Sequence, residues 1–370
     1  MHRAFEIVPA RKIYDITGIQ VMPINALYGL LAHINELPEE WERTWLWLGT
    51  PEYYLFRMTG VPVAEYTNAP NSRIVDAGSK SWSKELCSAF GLDLDRFPPI
   101  VPPGTTLGLF RRELANDPGS KTTKVIAPAC HDTASAVAAI PYPHNRLAFV
   151  SSGTWSLVGK VLQQPLISEL GFELNITNEG GVGGTIRFLR KVIGMWMLQE
   201  LLREWNAGGL RIAQGQLIQD RRSTPLEGSW VDLRDEKTFL APGNMAARIN
   251  AGLTQQGFPP VTEPHELASV VFRSLARRYA EVIDGVRRCA GELLERLCIV
   301  GGGVRNEVLN RLAQEATGLK LLKGPSEAAV IGKAAVQIAA LENTQRVEDI
   351  QSIASRLRFE EVDRPFTAGA

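Results

Sequence analysis

Residues 124–141 read KVIAPACHDTASAVAAIP. Lys124 to Cys130 is short, apolar and β-prone, which predicts a buried strand, and Asp132 to Ala139 then reads as a helix of small residues. Between them stand His131, Asp132 and Thr133. An acid at a strand tip that opens a helix has two readings. It caps the helix by accepting backbone N–H bonds, or it is a rigid carboxylate held for proton transfer; one residue can do both. His131 is either a buried, hydrogen-bonded core residue or a contact to a ligand.

The pattern on either side is α/β. Upstream, ALYGLLAHINEL (26–37) and WERTWLWLGTPEYYLFRMTG (41–60) carry helical spacing, and FPPIVPPGTTLG (97–108) is a Pro/Gly-rich connection. Downstream, LAFVSSGTWSLVGKVL (147–162) predicts two strands joined by a tight turn at Ser152, Gly153 and Thr154. FELNITNEGGVGG (172–184) reads as a strand and a glycine-rich loop. From Thr185 to Trp205 the apolar positions Ile186, Leu189, Ile193, Met197 and Leu201 predict one helix. A long helix is expected over 264–290, with Leu267, Val271, Leu275, Val282 and Val286 on one face. The strand LCIV (297–300) then leads into a glycine turn and a helix, and GPSEAAVIGKAAVQIAAL (324–341) into another helix. PYPHN (141–145) is a natural boundary, and the charged segment after Glu342 reads as peripheral.

The 40 basic and 40 acidic residues cancel, and no long block of one sign occurs, which argues against a nucleic-acid or polybasic membrane-surface role. No stretch reaches the ~18 uninterrupted apolar residues of a membrane-crossing helix. Four scattered cysteines without a C-x-x-C fit a reducing, cytoplasmic setting. Cys289 and Cys298 are close enough in sequence to pair, although spacing alone does not set the geometry.

Three glycine- and hydroxyl-rich turns each follow a strand: CHDT, SSGT and GGG. Each is either a plain tight turn or a cradle of backbone N–H groups for phosphate; three together, with an acid at the first, favour a phosphate ligand. Neither Gly159-Lys160 nor Gly332-Lys333 lies in a P-loop, and GGVGGT is not G-x-G-x-x-G. No second histidine stands at metal-ligand spacing from His131.

Taken together, CHDTASAVAAIP, FVSSGTWSLVGK, NITNEGGVGGTIRFLR, IGMWMLQE, IVGGGVRNEVLNRL and GPSEAAVIGKAAVQ, with KIYDITGIQ and AEYTNAP upstream, resemble the L-rhamnulokinase branch of the FGGY carbohydrate kinases across nearly the whole chain. The resemblance implies an actin-like ATPase (ribonuclease H-like) α/β fold, with two domains around a cleft. Residues 1–143 would be the remainder of the sugar-binding domain, 144–342 the nucleotide-binding domain and 343–370 a tail. It implies ATP and Mg²⁺ as cofactors, and L-rhamnulose or a related ketose such as L-fuculose as substrate. Asp132 matches the catalytic base, and His131, Asp132 and Thr133 match sugar contacts. Gly153 and Thr154 match the second phosphate loop, Gln199 a nucleotide-side polar group, and Gly302 and Gly303 the adenosine turn. Gln199 is otherwise a solvated helix position, and Trp196 on the same helix reads as core.

Lys191 and Lys333 stand where the family commonly has asparagine, so Lys191 is left out of the expected site. Family chains also carry an earlier strand–turn–strand with an Asp-x-Gly motif and an arginine, which forms the first phosphate loop and helps to hold Mg²⁺. This chain starts at MHRAFEIVPARK. The expectation is therefore an incomplete first domain and little or no turnover, with a non-catalytic sugar- or nucleotide-binding remnant as the alternative.

Overall fold

The structure, a computed structural model, describes residues 1–114, 119–219 and 224–357. Its centre is a six-stranded sheet in the order Lys320–Lys323, Arg296–Val300, Leu147–Ser152, Trp155–Leu162, Ile186–Ile193 and Thr177–Gly180. The first three strands run parallel and the last three join antiparallel. Both faces are covered. Along Leu147–Ser152, Ala148 and Val150 enter one core with Phe188, Val192 and the long helix Pro264–Ala290. Leu147 and Phe149 enter the other, with Leu157, Leu189, Val300 and the helices Asp132–Ala138, Ala328–Leu341 and Val347–Arg356. The two-residue period of a strand thus sends alternate side chains into two helical layers. The α/β class is the expected one.

The long helix runs Pro264–Ala290. Pro264 sits in its first turn, where its missing N–H costs nothing, and Gly291 ends it at φ 63°. Residues upstream of 100 form a separate core around Ile13, Leu27, Leu30, Trp41, Ile74 and Leu86, built mainly on short helices.

Three expectations change. Ile186–Ile193 is a strand, and a helix begins only at Trp196. All eight residues pair with Trp155–Leu162. A strand buried on both faces need not alternate polar and apolar residues, so Ile186, Leu189 and Ile193 imitate helical spacing. The strand before His131 is only Lys124–Ile126; Ala127 still bonds Thr105, but Pro128 has no N–H for a ladder, and the chain runs on to His131 as irregular backbone. Finally, the segment after Glu342 contains the helix Val347–Arg356, whose Ile350, Ile353 and Ala354 are buried in the second core. Gln351 Nε2 also donates to the carbonyls of Ile140 and Tyr142 at 3.0 and 2.9 Å. Residues 358–370 of the expected tail lie outside the described residues. All four cysteines are free, so Cys289 and Cys298 do not pair. No described helix is long and apolar enough to cross a membrane.

The small residues after Asp132 have a packing role. Ala134, Ala136 and Ala138 are buried, and the helix lies against Ala328–Leu341 so closely that a Cβ on Gly332 would stand 1.8 Å from the Ser135 carbonyl oxygen. Backbone cannot yield there as a flexible side chain could. Gly332→Ala is expected to destabilise the fold by at least about 1–3 kcal/mol, the usual penalty of overpacking, read as a lower urea midpoint. An unchanged midpoint would show that the two helices are free to separate.

Candidate active site

Two groups of expected residues gather at opposite kinds of surface, one charged and one built of turns. The charged group begins at His131, the N-cap of the seven-residue helix Asp132–Ala138. Asp132 is the first helical residue rather than the cap. Its Oδ1 accepts from Thr133 N at 2.6 Å and Thr133 Oγ1 at 3.3 Å, and lies 3.1 Å from His131 Nδ1. Nδ1 is also 3.2 Å from Thr133 N. That N–H already has the closer carboxylate, so Nδ1 serves best as a donor to Asp132.

The hydrogen bond from His131 is the main reason the Asp132 carboxyl lies far below its usual range, with the Thr133 N–H adding to it. Burial, with Arg187 nearby, lowers His131, which favours a neutral ring. Asp132 is therefore ionised across the neutral range. Its side chain is 79% exposed, whereas that of His131 is 15% exposed. Among the triplet, Asp132 alone faces outward; Thr133 is buried.

Behind this triplet is a dry ion cluster that the sequence reading did not single out. Glu179, wholly buried, has Oε2 at 3.0 Å from Arg187 Nη1 and Oε1 at 2.9 Å from Lys191 Nζ. His131 Nε2 is 3.9 Å from Glu179 Oε2. Burial alone would raise the Glu179 carboxyl, but the Lys191 and Arg187 charges outweigh it and bring it down to about 2. Lys191 Nζ also donates to Asn71 Oδ1 at 2.7 Å, and its backbone N–H and carbonyl both bond the Gln20 side chain, at 3.0 and 3.2 Å. Lys191, which the sequence reading left out of the expected site, is thus tied into the Glu179 cluster and to the upstream chain. Arg187 did leave a signal, since a charged residue between Ile186 and Phe188 needs a partner once that run is buried; Glu179, among Thr, Asn and Gly, left none.

The second group lies at the carboxyl ends of the neighbouring parallel strands Leu147–Ser152 and Arg296–Val300, where α/β sheets commonly receive ligands. The hairpin turn holds the start of the Trp196–Ala207 helix. Gly153 O accepts from Met195 N at 3.0 Å, and Thr154 O from Gly194 N and Trp196 N at 3.1 and 3.2 Å. Gln199, one turn on, has Oε1 at 3.4 Å from Thr154 Oγ1. Trp196 packs partly against the core, as expected, beneath the Arg203 guanidinium at 5.7 Å.

The glycines divide. Gly301 takes φ 82°, and a Cβ on Gly303 would stand 2.1 Å from Ser152 Oγ, so Gly303 is needed for packing between the two turns. Gly302 has nothing within 4 Å of such a Cβ, and Gly153 only the Trp155 carbonyl at 3.5 Å. Those two glycines leave room at the surface of the turns.

Two family models match the chain: the N-terminal domain of the FGGY family of carbohydrate kinases over residues 2–139, and the C-terminal domain over residues 148–341. The chain belongs to the FGGY carbohydrate kinases. It is 35% identical over 355 residues to a rhamnulokinase of Enterobacter sp. strain 638, covering 96% of this chain and 71% of that one. It is 36% identical over 358 residues to a rhamnulokinase of Oceanobacillus iheyensis, covering 95% and 73%. Among solved structures, a ligand-bound xylulose kinase from Lactobacillus acidophilus superposes with a TM-score of 0.73 at 18% identity, covering 95% of this chain and 70% of that one. Plasmodium falciparum glycerol kinase with ADP gives 0.73 at 14%, covering 95% and 71%. These likenesses show the actin-like ATPase fold that the sequence led us to expect. An FGGY kinase is a phosphotransferase with an alcohol acceptor, so the chain's reaction is phosphorylation of a sugar by ATP.

The ion cluster yields a stability prediction. Glu179→Gln strands the buried Arg187 charge and deprives half-buried Lys191 of its partner, and losing one partner of a buried pair typically costs about 3–5 kcal/mol. The Glu179 carboxyl lies below its ordinary 4.5, so its stabilising effect is full above that value and is lost as pH falls toward about 2. Denaturant titrations should show the parent losing its advantage over Glu179→Gln across that window. Equal stability of the two proteins at pH 7 would contradict the pairing.

Proposed function

We propose that this FGGY kinase transfers the γ-phosphoryl group of ATP to O1 of L-rhamnulose. The observation that carries the chemistry is Asp132: an ionised carboxylate, open to solvent, fixed by three donors beside a dry cluster of charge. The acceptor hydroxyl would lie against Asp132 Oδ2, which is free of those donors, and pass its proton there as oxygen attacks phosphorus. Phosphoryl transfer depends mainly on positioning and on stabilising charge, which a rigid carboxylate serves well. We assign His131 and Thr133 to the sugar wall, where they hold that carboxylate. The choice of sugar is supported by the relatives that are rhamnulokinases. A related ketose such as L-fuculose is the rival.

We assign the turn group to ATP, with Gly153 and Thr154 toward the phosphates, Gln199 on the nucleotide side, and Gly302 and Gly303 at the adenosine. The open space over Gly153 and Gly302 supports this, because neither glycine is required by internal contacts. The working division is residues 1–143 for sugar and 144–342 for nucleotide, although the Asp132–Ala138 helix shares its core with Ala328–Leu341. Among the described residues no group of three or more His, Cys, Asp or Glu side chains is arranged to hold a metal. Mg²⁺, which commonly binds through substrate phosphates, water and one or two carboxylates, would therefore enter with ATP rather than into a cage formed by these residues.

The decisive experiment follows ADP release with L-rhamnulose, L-fuculose and no sugar. L-Rhamnulose should give the highest kcat/KM. A chain that binds ATP but shows no sugar-dependent release would favour the binding-only reading. Asp132→Asn keeps shape and loses proton acceptance, so kcat should fall ~10²–10⁴-fold while the sugar KM moves far less. Turnover within about threefold of the parent would remove Asp132 from the role.

The phosphate turn is tested separately. Gly153→Val meets little of the protein itself, so it should raise the ATP KM with the sugar KM nearly unchanged. The reverse pattern would place this turn on the sugar wall.

A further inference from the structure

Asp132 projects from a stretch of chain that secondary structure does not support. The ladder ends at Ile126 and the helix starts at Asp132, so the buried N–H groups between them need partners elsewhere. Two of those groups turn to one short segment, more than sixty residues earlier in the sequence. Cys130 N donates to Glu65 Oε2 at 2.8 Å. His131 N donates to Thr67 Oγ1 at 3.1 Å, and that hydroxyl donates its own proton to Glu65 Oε2 at 2.5 Å. Thr67 N closes the knot on Glu65 Oε1 at 2.9 Å. Glu65 and Thr67 are both 0% exposed.

We propose that Glu65 is a positioning residue for the phosphoryl transfer: its carboxylate, acting on Cys130 directly and on His131 through Thr67, fixes the turn from which Asp132 meets the sugar. The proposal rests on the reading of Asp132 as the base. Glu65 itself touches no reacting atom. As a carboxylate it accepts three donors at once; protonation places a hydrogen among them and removes the charge that orders the Thr67 hydroxyl.

The surroundings make this contact sensitive to pH. Burial raises the Glu65 carboxyl to about 7, the Thr67 and Cys130 donors oppose the rise, and the charge of Glu52 adds to it. Glu52 lies on the Thr50–Thr59 helix, with its Oε1 at 3.2 Å from Glu65 N, and is tied to Asn68. Around Glu65 also lie Arg187 from the sheet, the Cys130 thiol, itself pushed up by burial, Lys333, whose charge acts on Cys130, and His131, which burial holds low. Asp132 stays ionised throughout this range, so a loss of turnover between pH 8 and 6 that disappears in Glu65→Gln would report Glu65 and not the base.

The test has one readout that needs no turnover. Labelling with ¹⁵N-cysteine gives one amide signal for each of Cys87, Cys130, Cys289 and Cys298. Between pH 5.5 and 8.5 the Cys130 amide should shift with a single midpoint near 7, and in Glu65→Gln it should not. Kinetically, kcat of the parent should fall below the same midpoint with the ATP KM unchanged. Glu65→Gln should lower kcat by roughly tenfold to 10²-fold and abolish that pH dependence. Thr67→Val, which keeps the Glu65–Cys130 contact, should lower kcat less. A Cys130 amide that does not titrate in the parent overturns the proposal. So does Glu65→Gln with kcat within threefold of the parent, or with the parent's acid limb intact. If Cys130 titrates as expected but Asp132→Asn turns over freely, the base assignment fails and the positioning role falls with it; if Asp132→Asn is inactive and Glu65→Gln normal, this inference alone fails.

Discussion

The strand Leu147–Ser152 must bury both of its faces, and much of the molecule follows from that. Ala148 and Val150 need cover on one side, Leu147 and Phe149 on the other. Each large apolar side chain removed from water contributes about 1.5–3 kcal/mol, whereas an exposed ion pair contributes at most about 1 kcal/mol. Helices therefore collect on both faces, and the turns at the strand ends are left uncovered. The turn group of Gly153, Thr154, Gly302 and Gly303 sits in that gap. Its hairpin turn is rigid because its carbonyls hold the start of the Trp196–Ala207 helix, and the neighbouring glycine turn is packed onto it through Gly303.

The surroundings of Asp132 are organised by charge rather than by apolar packing. Glu179 is surrounded by Arg187, Lys191 and His131 in a region closed to water. Electrostatic interactions are strong in such a region, and an unpaired charge is costly, so these side chains have little freedom to move. Asp132 is the outward member of this assembly. Lys191 has a further consequence: by reaching Asn71 and taking both backbone bonds of Gln20, it joins the edge of the sheet to the upstream part of the chain. An asparagine there could not carry the charge that pairs with Glu179.

Proton affinity is divided across the same few residues. Asp132 is held ionised by donors, while Glu65 is brought near neutrality by burial. Environment sets the two carboxyls apart, which is how one site keeps one acid permanently charged and another responsive. Cys130 lies next to both, but burial pushes its thiol up, which disfavours the thiolate a nucleophile requires.

The sequence by itself determined the local features. Two apolar runs on either side of Ser152-Gly153-Thr154 specify a hairpin, Pro264 and Gly291 bracket the long helix, and Asp132 opens a helix of small residues. Motif resemblance added the family and a list of candidate positions. Tertiary structure decided what local rules cannot. Ile186–Ile193 became a strand because partners on both edges supply its backbone hydrogen bonds, although its apolar spacing suits a helix. Glu65 and Thr67 joined Cys130 and His131, and Lys191 joined Glu179 and Asn71, across separations that no periodicity records. The physical reason is common to all three. Burial removes water as an alternative partner, so each polar group must bond whatever the fold brings within reach, and that choice exists only once the chain has folded.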